Sequence, residues 1–452
     1  MHFSKKVGEK TKKIAENTEF AYLQHHKIYV ILICINIYIF GGVGVKKSEK
    51  EFLAVLRSFF SKKDEPFEPF ENYDESVLLA KKQNLLPLFL NALSKRAPLP
   101  PELENERLSA FGQYTAQRVK TAEFLSLCQK IESEKIRFLC VKGVTLRALY
   151  EDGELRPSSD EDILIERKNI PLFKRIMEEN SFSVKCEGEN EVSFFDEKTS
   201  LLVEAHTSLF SEDGELGEAL SSLFEDPFAS AKTVKIGSVD ILTLDGQGGL
   251  LYLVCHAFKH FIRSGFGVRQ VCDVGIYIRE NKEKINFERL RNDLSKIKAD
   301  RFFDAVVNIA VDYLGFEDIV FSSLDRSVDP EALLEDLLRG GVYGRGEPSR
   351  KHSASLTLSA ARGKTRGRAL FSALFPKRRV LEAAYPKFKK FPFLYLYFAF
   401  VRIVKYFVSL RKRKESEGTA LESLKIAEKR LLLFEEYGLG EQRKKKKKGR
   451  KA

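Results

Sequence analysis

The stretch that constrains this 452-residue chain most is Ile136 to Ile165, IRFLCVKGVTLRALYEDGELRPSSDEDILI. It reads as a short apolar strand, a Lys142-Gly143 turn, a turn or two of helix, a polar loop closed by Pro157, and a strand carrying Asp160 and Asp162. Residues two apart in a strand point to the same side, so both carboxylates aim at one place. Two anions held that close repel unless a positive charge lies between them, and a hard divalent cation with oxygen ligands, such as Mg2+, is the common solution. A second strand pair follows, Val192 to Phe195 and Leu201 to His206, around a polar turn at Asp196 to Ser200. On its second strand Leu202, Glu204 and His206 share a face. If that strand lies beside the one with the aspartates, Glu204 is the third carboxylate.

The run KG, then LRPSSDEDILI, then LLVEAH resembles the uncharacterised nucleotidyltransferase family of the polymerase-beta-like superfamily, whose members carry a KG turn, a loop ending in a paired-aspartate strand, and a later strand with an acidic residue before His. The resemblance continues into LYLVCHAFKH, VRQVCDVGIYI and LFPKRRVLEAAYPKFKKFPFLYLYF, and spans roughly Glu51 to Leu410. It implies an α+β fold: a polymerase-beta-like nucleotidyltransferase core, a small mixed sheet with helices, flanked by N-terminal and C-terminal helical regions. It also implies transfer of a nucleoside monophosphate from an NTP to a hydroxyl acceptor with Mg2+ or Mn2+. Asp160, Asp162 and Glu204 are then the metal ligands, and Glu204 orients or deprotonates the acceptor. Gly143 lets backbone N–H groups approach phosphate, with Lys142 and Thr145 adding a charge and a hydroxyl. Ser158, Ser159 and Arg156 precede the metal strand, and the Arg156 fork suits two phosphate oxygens. The acceptor stays open among a sugar, another small molecule, a protein side chain and an RNA end.

Two departures qualify the resemblance. The superfamily usually has Gly-Gly or Gly-Ser where this chain has Gly143-Val144. Glu161 stands where family members carry an apolar residue, and a charged side chain there must reach solvent or a partner. A catalytically weakened binding or regulatory module is therefore one alternative. A second is a metal-dependent hydrolase built on His206, His256, His260 and Asp273, in which His256 and His260 lie one helical turn apart. The blander reading has these four lining the nucleotide pocket.

The net charge of +12 invites a nucleic-acid reading, but its location weakens it. The tail from Arg443 contributes +8 and Met1 to Ser48 contributes +5, which leaves −1 for Glu49 to Gln442. A broad basic face is thus not required of the body. The six cysteines show no CxxC spacing, which argues against a zinc ribbon or a disulfide scaffold and for a reducing, cytoplasmic setting.

The chain divides on sequence into seven parts. Residues 1–48 are a basic and apolar extension whose run at 28–45 just reaches the length of a membrane anchor, or which precedes the true start of the protein. Residues 49–135 have helical periodicity and read as a cap, and 136–244 as the α/β core, with a helix opening at Asn169-Ile170-Pro171. A second helical region covers 245–338, and a Gly- and Arg-rich loop 339–367. C-terminal helices follow at 368–436, including an apolar segment from Phe391 to Leu410 that carries Arg402 and Lys405 and so suits a core or an interface better than a span. The tail, 437–452, is read as disordered, with weak attraction to anionic lipid or RNA as its sharper role. Nothing in the sequence sets the oligomeric state.

Overall fold

A computed structural model describes residues 46–342 and 429–439, apart from 64–66, 68–69, 71–72, 97, 211–213 and 264. The apolar run at 28–45, most of the Gly- and Arg-rich stretch, the segment from Phe391 to Leu410 and the lysine tail lie outside the described residues. Contacts divide the chain into Met1–Lys47 and Ser48–Ala452, and the account below concerns the second unit.

Among the described residues four helices precede the sheet: α1 (Lys47–Phe60), α2 (Asp74–Lys82), α3 (Leu86–Ser94) and α4 (Glu104–Ser133). In α1 the buried residues Phe52, Leu53, Val55, Leu56 and Phe60 recur at three and four, the mark of one buried stripe. Pro87 opens α3, where its missing N–H costs nothing. The long α4 buries Ala110 and Gln117 along its length and is most apolar in its last turns. Phe124, Leu127, Cys128 and Ile131 join the core beneath the sheet.

The sheet has five strands: β1 (Phe138–Cys140), β2 (Glu161–Ile165), β3 (Ser183–Glu187), β4 (Glu191–Asp196) and β5 (Leu201–His206), in the order β1-β2-β5-β4-β3. β2 runs parallel to β5, and the other neighbours are antiparallel. Between β1 and β2 lies the short helix α5 (Val144–Arg147). Between β2 and β3 lies α6 (Ile170–Glu179), which carries Pro171 in its first turn and buries Phe173, Ile176 and Met177. After α7 (Gly214–Ser221), strands β6 (Lys232–Ile236) and β7 (Val239–Thr243) form a separate ribbon. Thr243 Oγ1 ties β7 to β1 by donating to the Cys140 carbonyl at 2.6 Å.

Pleating sorts the two sides of β2. Ile163 and Ile165 enter the core with α4 and α6, while Asp162 turns the other way. β5 alternates strictly: Leu201, Val203 and Ala205 are buried, and Leu202, Glu204 and His206 share the partly open face that the sequence assigns them. β3 has every residue exposed and a bulge between Val184 and Cys186, features that blunt an edge strand. Its polar sequence, SVKCE, hides it from hydrophobic periodicity.

Among the described residues the ribbon is followed by α8 (Gly246–Arg263), α9 (Val268–Asn281), α10 (Phe287–Lys296), α11 (Asp300–Leu314) and α12 (Glu331–Gly340). α11 stops at Gly315, whose φ of +79° is the left-handed conformation that closes helices. A helical stretch at 429–436 lays Phe434 and Arg430 against Phe261 of α8. No helix among the described residues is long and apolar enough to cross a membrane.

Phe194 of β4 is fully buried and meets Phe173 of α6 edge-on, with ring centroids 5.4 Å apart. Phe194→Ala should cost about 3–5 kcal/mol in urea-unfolding experiments, the range for emptying a well-packed aromatic site.

Candidate active site

The site is assembled on the turn between β1 and α5. Gly143 has φ +67°, a conformation that L residues with side chains rarely adopt, and a Cβ there would run into Glu161 Oε2. The space a side chain needs is filled by the Glu161 carboxylate. Its Oε2 accepts from the Val144 N–H at 2.7 Å, and its Oε1 lies 2.6 Å from Arg147 NH2. Both side chains of this ion pair are almost wholly buried. Burial pushes the Glu161 carboxyl up, opposed by Arg147 and the Val144 amide. The demand for solvent or a partner is thus met by a partner on the core side of β2. Arg147 was not picked out from the sequence, although it stands one helical turn beyond Gly143.

On the opposite side of β2, Asp162 is almost fully buried and its two oxygens are engaged differently. Oδ2 lies 2.8 Å from Lys142 Nζ, and Oδ1 lies 3.2 Å from His206 Nε2. Burial alone pushes the Asp162 carboxyl up, but Lys142 and His206 outweigh it and hold the group well below the usual carboxylate range. Glu204 is the register partner of Asp162 on β5. Burial first, then the charges of Asp162, Asp160 and Glu191, raise Glu204 from 4.5 to about 7. Asp162, Glu204 and His206 each offer a ligand atom within 4.8 Å of the other two, and no other such group of three occurs among the described residues.

Asp160 lies one residue before β2, partly buried and outside that group of three, near enough for its charge to act on Glu204. Ser158 donates its hydroxyl to the Asp160 carbonyl at 2.8 Å, and its own N–H is held by Gln117 Oε1 at 2.7 Å. Ser159 is exposed. Thr145 Oγ1 reaches back to the Lys142 carbonyl at 3.4 Å.

Lys142 also links the sheet to α8. Its Nζ lies 3.2 Å from His256 Nε2, which lies 3.3 Å from His260 Nε2. Burial, then the Lys142 charge, depresses His256 well below its ordinary value. Burial and the cationic neighbours Lys259 and Lys142 bring His260 to about 3, so both rings are neutral near pH 7. Asp273 of α9 is turned to a different use. Arg156 donates to both its oxygens, at 2.6 and 2.7 Å, and Tyr150 donates its hydroxyl at 2.8 Å. The fork that the sequence offers to phosphate is therefore set bidentate on a buried carboxylate 117 positions away. The neighbouring Pro157 carbonyl accepts from Arg269 and from Asn84. A cavity of about 30 Å³ remains between Lys142, Arg156, His256 and Asp273, enough for ordered water.

Residues 71–315 match the model of an uncharacterised nucleotidyltransferase family. The chain belongs to that nucleotidyltransferase family. The matched segment runs through the whole sheet and on to the end of α11, so it contains Lys142, the carboxylates, both α8 histidines and Asp273. Membership gives the chain its reaction class, nucleotidyl transfer by an enzyme. No curated protein and no solved structure matches it.

Two outcomes follow for this nucleotidyltransferase. Glu161→Ala leaves Arg147 buried without its counter-charge and should cost about 3–5 kcal/mol in urea unfolding, whereas adding Arg147→Met should recover most of the loss. Because Glu204 is raised from 4.5 to about 7 in the folded state, its protonated form contributes stability that is complete below about pH 4.5 and lost as the pH rises through about 7. Melting curves without added cation should show that fall between those pH values, and Glu204→Gln should flatten it.

Proposed function

We propose that this enzyme is a divalent-cation-dependent nucleotidyltransferase that moves a nucleoside monophosphate from an NTP to a hydroxyl acceptor. The observation that carries the reading is the side-by-side placement of Asp162 and Glu204 on parallel strands β2 and β5, with Lys142 Nζ 2.8 Å behind Asp162. Asp162 stays ionised and Glu204 lies beside it, so the pair offers oxygen ligands of the kind that Mg2+ or Mn2+ takes. A bound ion would hold the triphosphate and neutralise charge that develops on it. Asp160 supplies a further carboxylate at the mouth of the strand.

Each remaining group has a role consistent with that chemistry. Glu204, with its carboxyl raised to about 7, is suited to orient the acceptor hydroxyl and take its proton. Lys142 brings positive charge to the Asp162 side of the site, where phosphate oxygens would accumulate negative charge. Thr145, Ser158 and Ser159 stand on the segments that carry Lys142 and Asp160, whereas the Val144 amide of the Gly143 turn, which the sequence offers to phosphate, is taken by Glu161 on the core side. Arg156 acts through Asp273: the pair fixes the loop that leads into Asp160.

Two other readings have less support. A weakened module rests on Glu161, yet that carboxylate faces the core with Arg147 and leaves the Asp162 side of the strand unchanged. A hydrolase centred on His256 and His260 would set a cation beside the Lys142 ammonium, 3.2 Å from His256, and Asp273 is already bound to Arg156 and Tyr150.

The test is to incubate the purified protein with Mg2+ or Mn2+ and each labelled NTP, with sugars, small hydroxyl compounds, RNA ends and cell extract as acceptors. Label should transfer with release of pyrophosphate, and Asp162→Ala should lower the rate roughly a thousandfold, the scale of losing several kcal/mol of charge stabilisation. Failure of every NTP to bind at millimolar concentration sinks the reading. A tightly held transition metal that survives Asp160→Ala but not His256→Ala favours the hydrolase instead.

A further inference from the structure

We propose that His206 is itself a cation ligand, so that Asp162, Glu204 and His206 form a mixed imidazole–dicarboxylate site that takes first-row transition cations in preference to Mg2+. This rests on the cation-dependent reading above and changes the ligand set. Sequence reasoning built that set from three carboxylates and gave His206 either to the pocket lining or to a separate hydrolase site with His256, His260 and Asp273.

The distances carry the argument. Ligand atoms about 2.1 Å from one ion lie about 3.0 Å apart at an octahedral corner and about 3.4 Å apart in a tetrahedron. His206 Nε2 is 3.2 Å from Asp162 Oδ1 and 3.8 Å from Glu204 Oε2. All three ligand atoms lie within 4.8 Å of one another, and a cation would draw the Glu204 carboxylate inward to complete the set. Asp162 presents Oδ1 to this site and Oδ2 to Lys142, so a cation at Oδ1 leaves the lysine pair in place.

The second ring nitrogen gives an independent pointer. His206 Nδ1 faces Glu191 Oε2 at 3.6 Å, and the two residues are register partners across β4 and β5. A carboxylate behind the distal nitrogen is the arrangement that orients metal-bound histidines and raises their basicity. The distance is longer than a hydrogen bond and within reach of a side-chain rotation. An imidazole in the first shell selects among cations: Mg2+ takes oxygen ligands and keeps its waters, Zn2+ and its first-row neighbours accept nitrogen readily, and Mn2+, though suited by oxygen, stands above Mg2+ in tolerance of a nitrogen ligand.

The experiment uses the full-length protein with Mn2+ alone, read by pulsed electron paramagnetic resonance for coupling between the bound ion and a 14N nucleus. Coupling should be present in the wild type. His206→Gln should abolish it, weaken Mn2+ binding about 10- to 100-fold, and narrow the preference for Mn2+ over Mg2+ in competition titrations. Circular dichroism of the variant checks that it is folded, and the wild-type spectrum stands without it. Bound Mn2+ that shows no 14N coupling, or a coupling and preference unchanged in folded His206→Gln, overturns the inference and leaves the cation-dependent transferase reading intact. Absence of any bound Mn2+ and Mg2+, with or without NTP, overturns both.

Discussion

Strand β2 carries adjacent carboxylates that point to opposite sides, and both are buried. A buried anion without a positive partner is too costly to keep, so each side of the strand has to be supplied with a cation. Both cations come from one short segment: Arg147 meets Glu161 on the core side, and Lys142 meets Asp162 on the other. The turn and four-residue helix between β1 and β2 thus grip the strand from two sides. Gly143 makes the grip feasible, since its missing side chain leaves the room that Glu161 fills.

The helical regions act on the same place from further off. Asn84, at the end of α2, and Arg269 of α9 share the Pro157 carbonyl. Gln117 of α4 holds the Ser158 amide, and Asp273 of α9 takes the Arg156 fork. Four consecutive positions from Arg156 to Ser159 therefore lead into Asp160 along a path pinned by three helices. Lys142, lying between Asp162 and His256, couples α8 to the sheet in the same way. Helices that enclose the sheet thereby set the position of its polar edge, with the carboxylate pair at its centre.

What could be read from the sequence follows from the range of each interaction. The shared face of Leu202, Glu204 and His206 is a matter of period two within six residues, and it is seen as expected. That β5 lies directly beside β2, in register at Asp162 and Glu204, was a condition the sequence stated and could not fix, because strand order is decided by packing across the whole core. Arg156 is the instructive case: its chemistry fits phosphate and carboxylate equally, and the carboxylate that takes it is far away in the chain. Glu161 was visible as an anomaly, but its partner Arg147 was not, since nothing in local spacing distinguishes a buried arginine from a solvated one. β3 escaped because an exposed edge strand has no apolar period to announce it.

The Glu161–Arg147 pair also limits how this chain can change over time. Replacing the acid by an aliphatic residue, the type that family resemblance leads one to expect there, strands the arginine, and replacing the arginine first strands the acid. Either order passes through an intermediate with a lone charge inside the protein, while the finished exchange is close to neutral in stability. Two positions 14 residues apart are therefore easier to exchange together than singly, and what guards the pair is the step between and not any advantage of the pair itself.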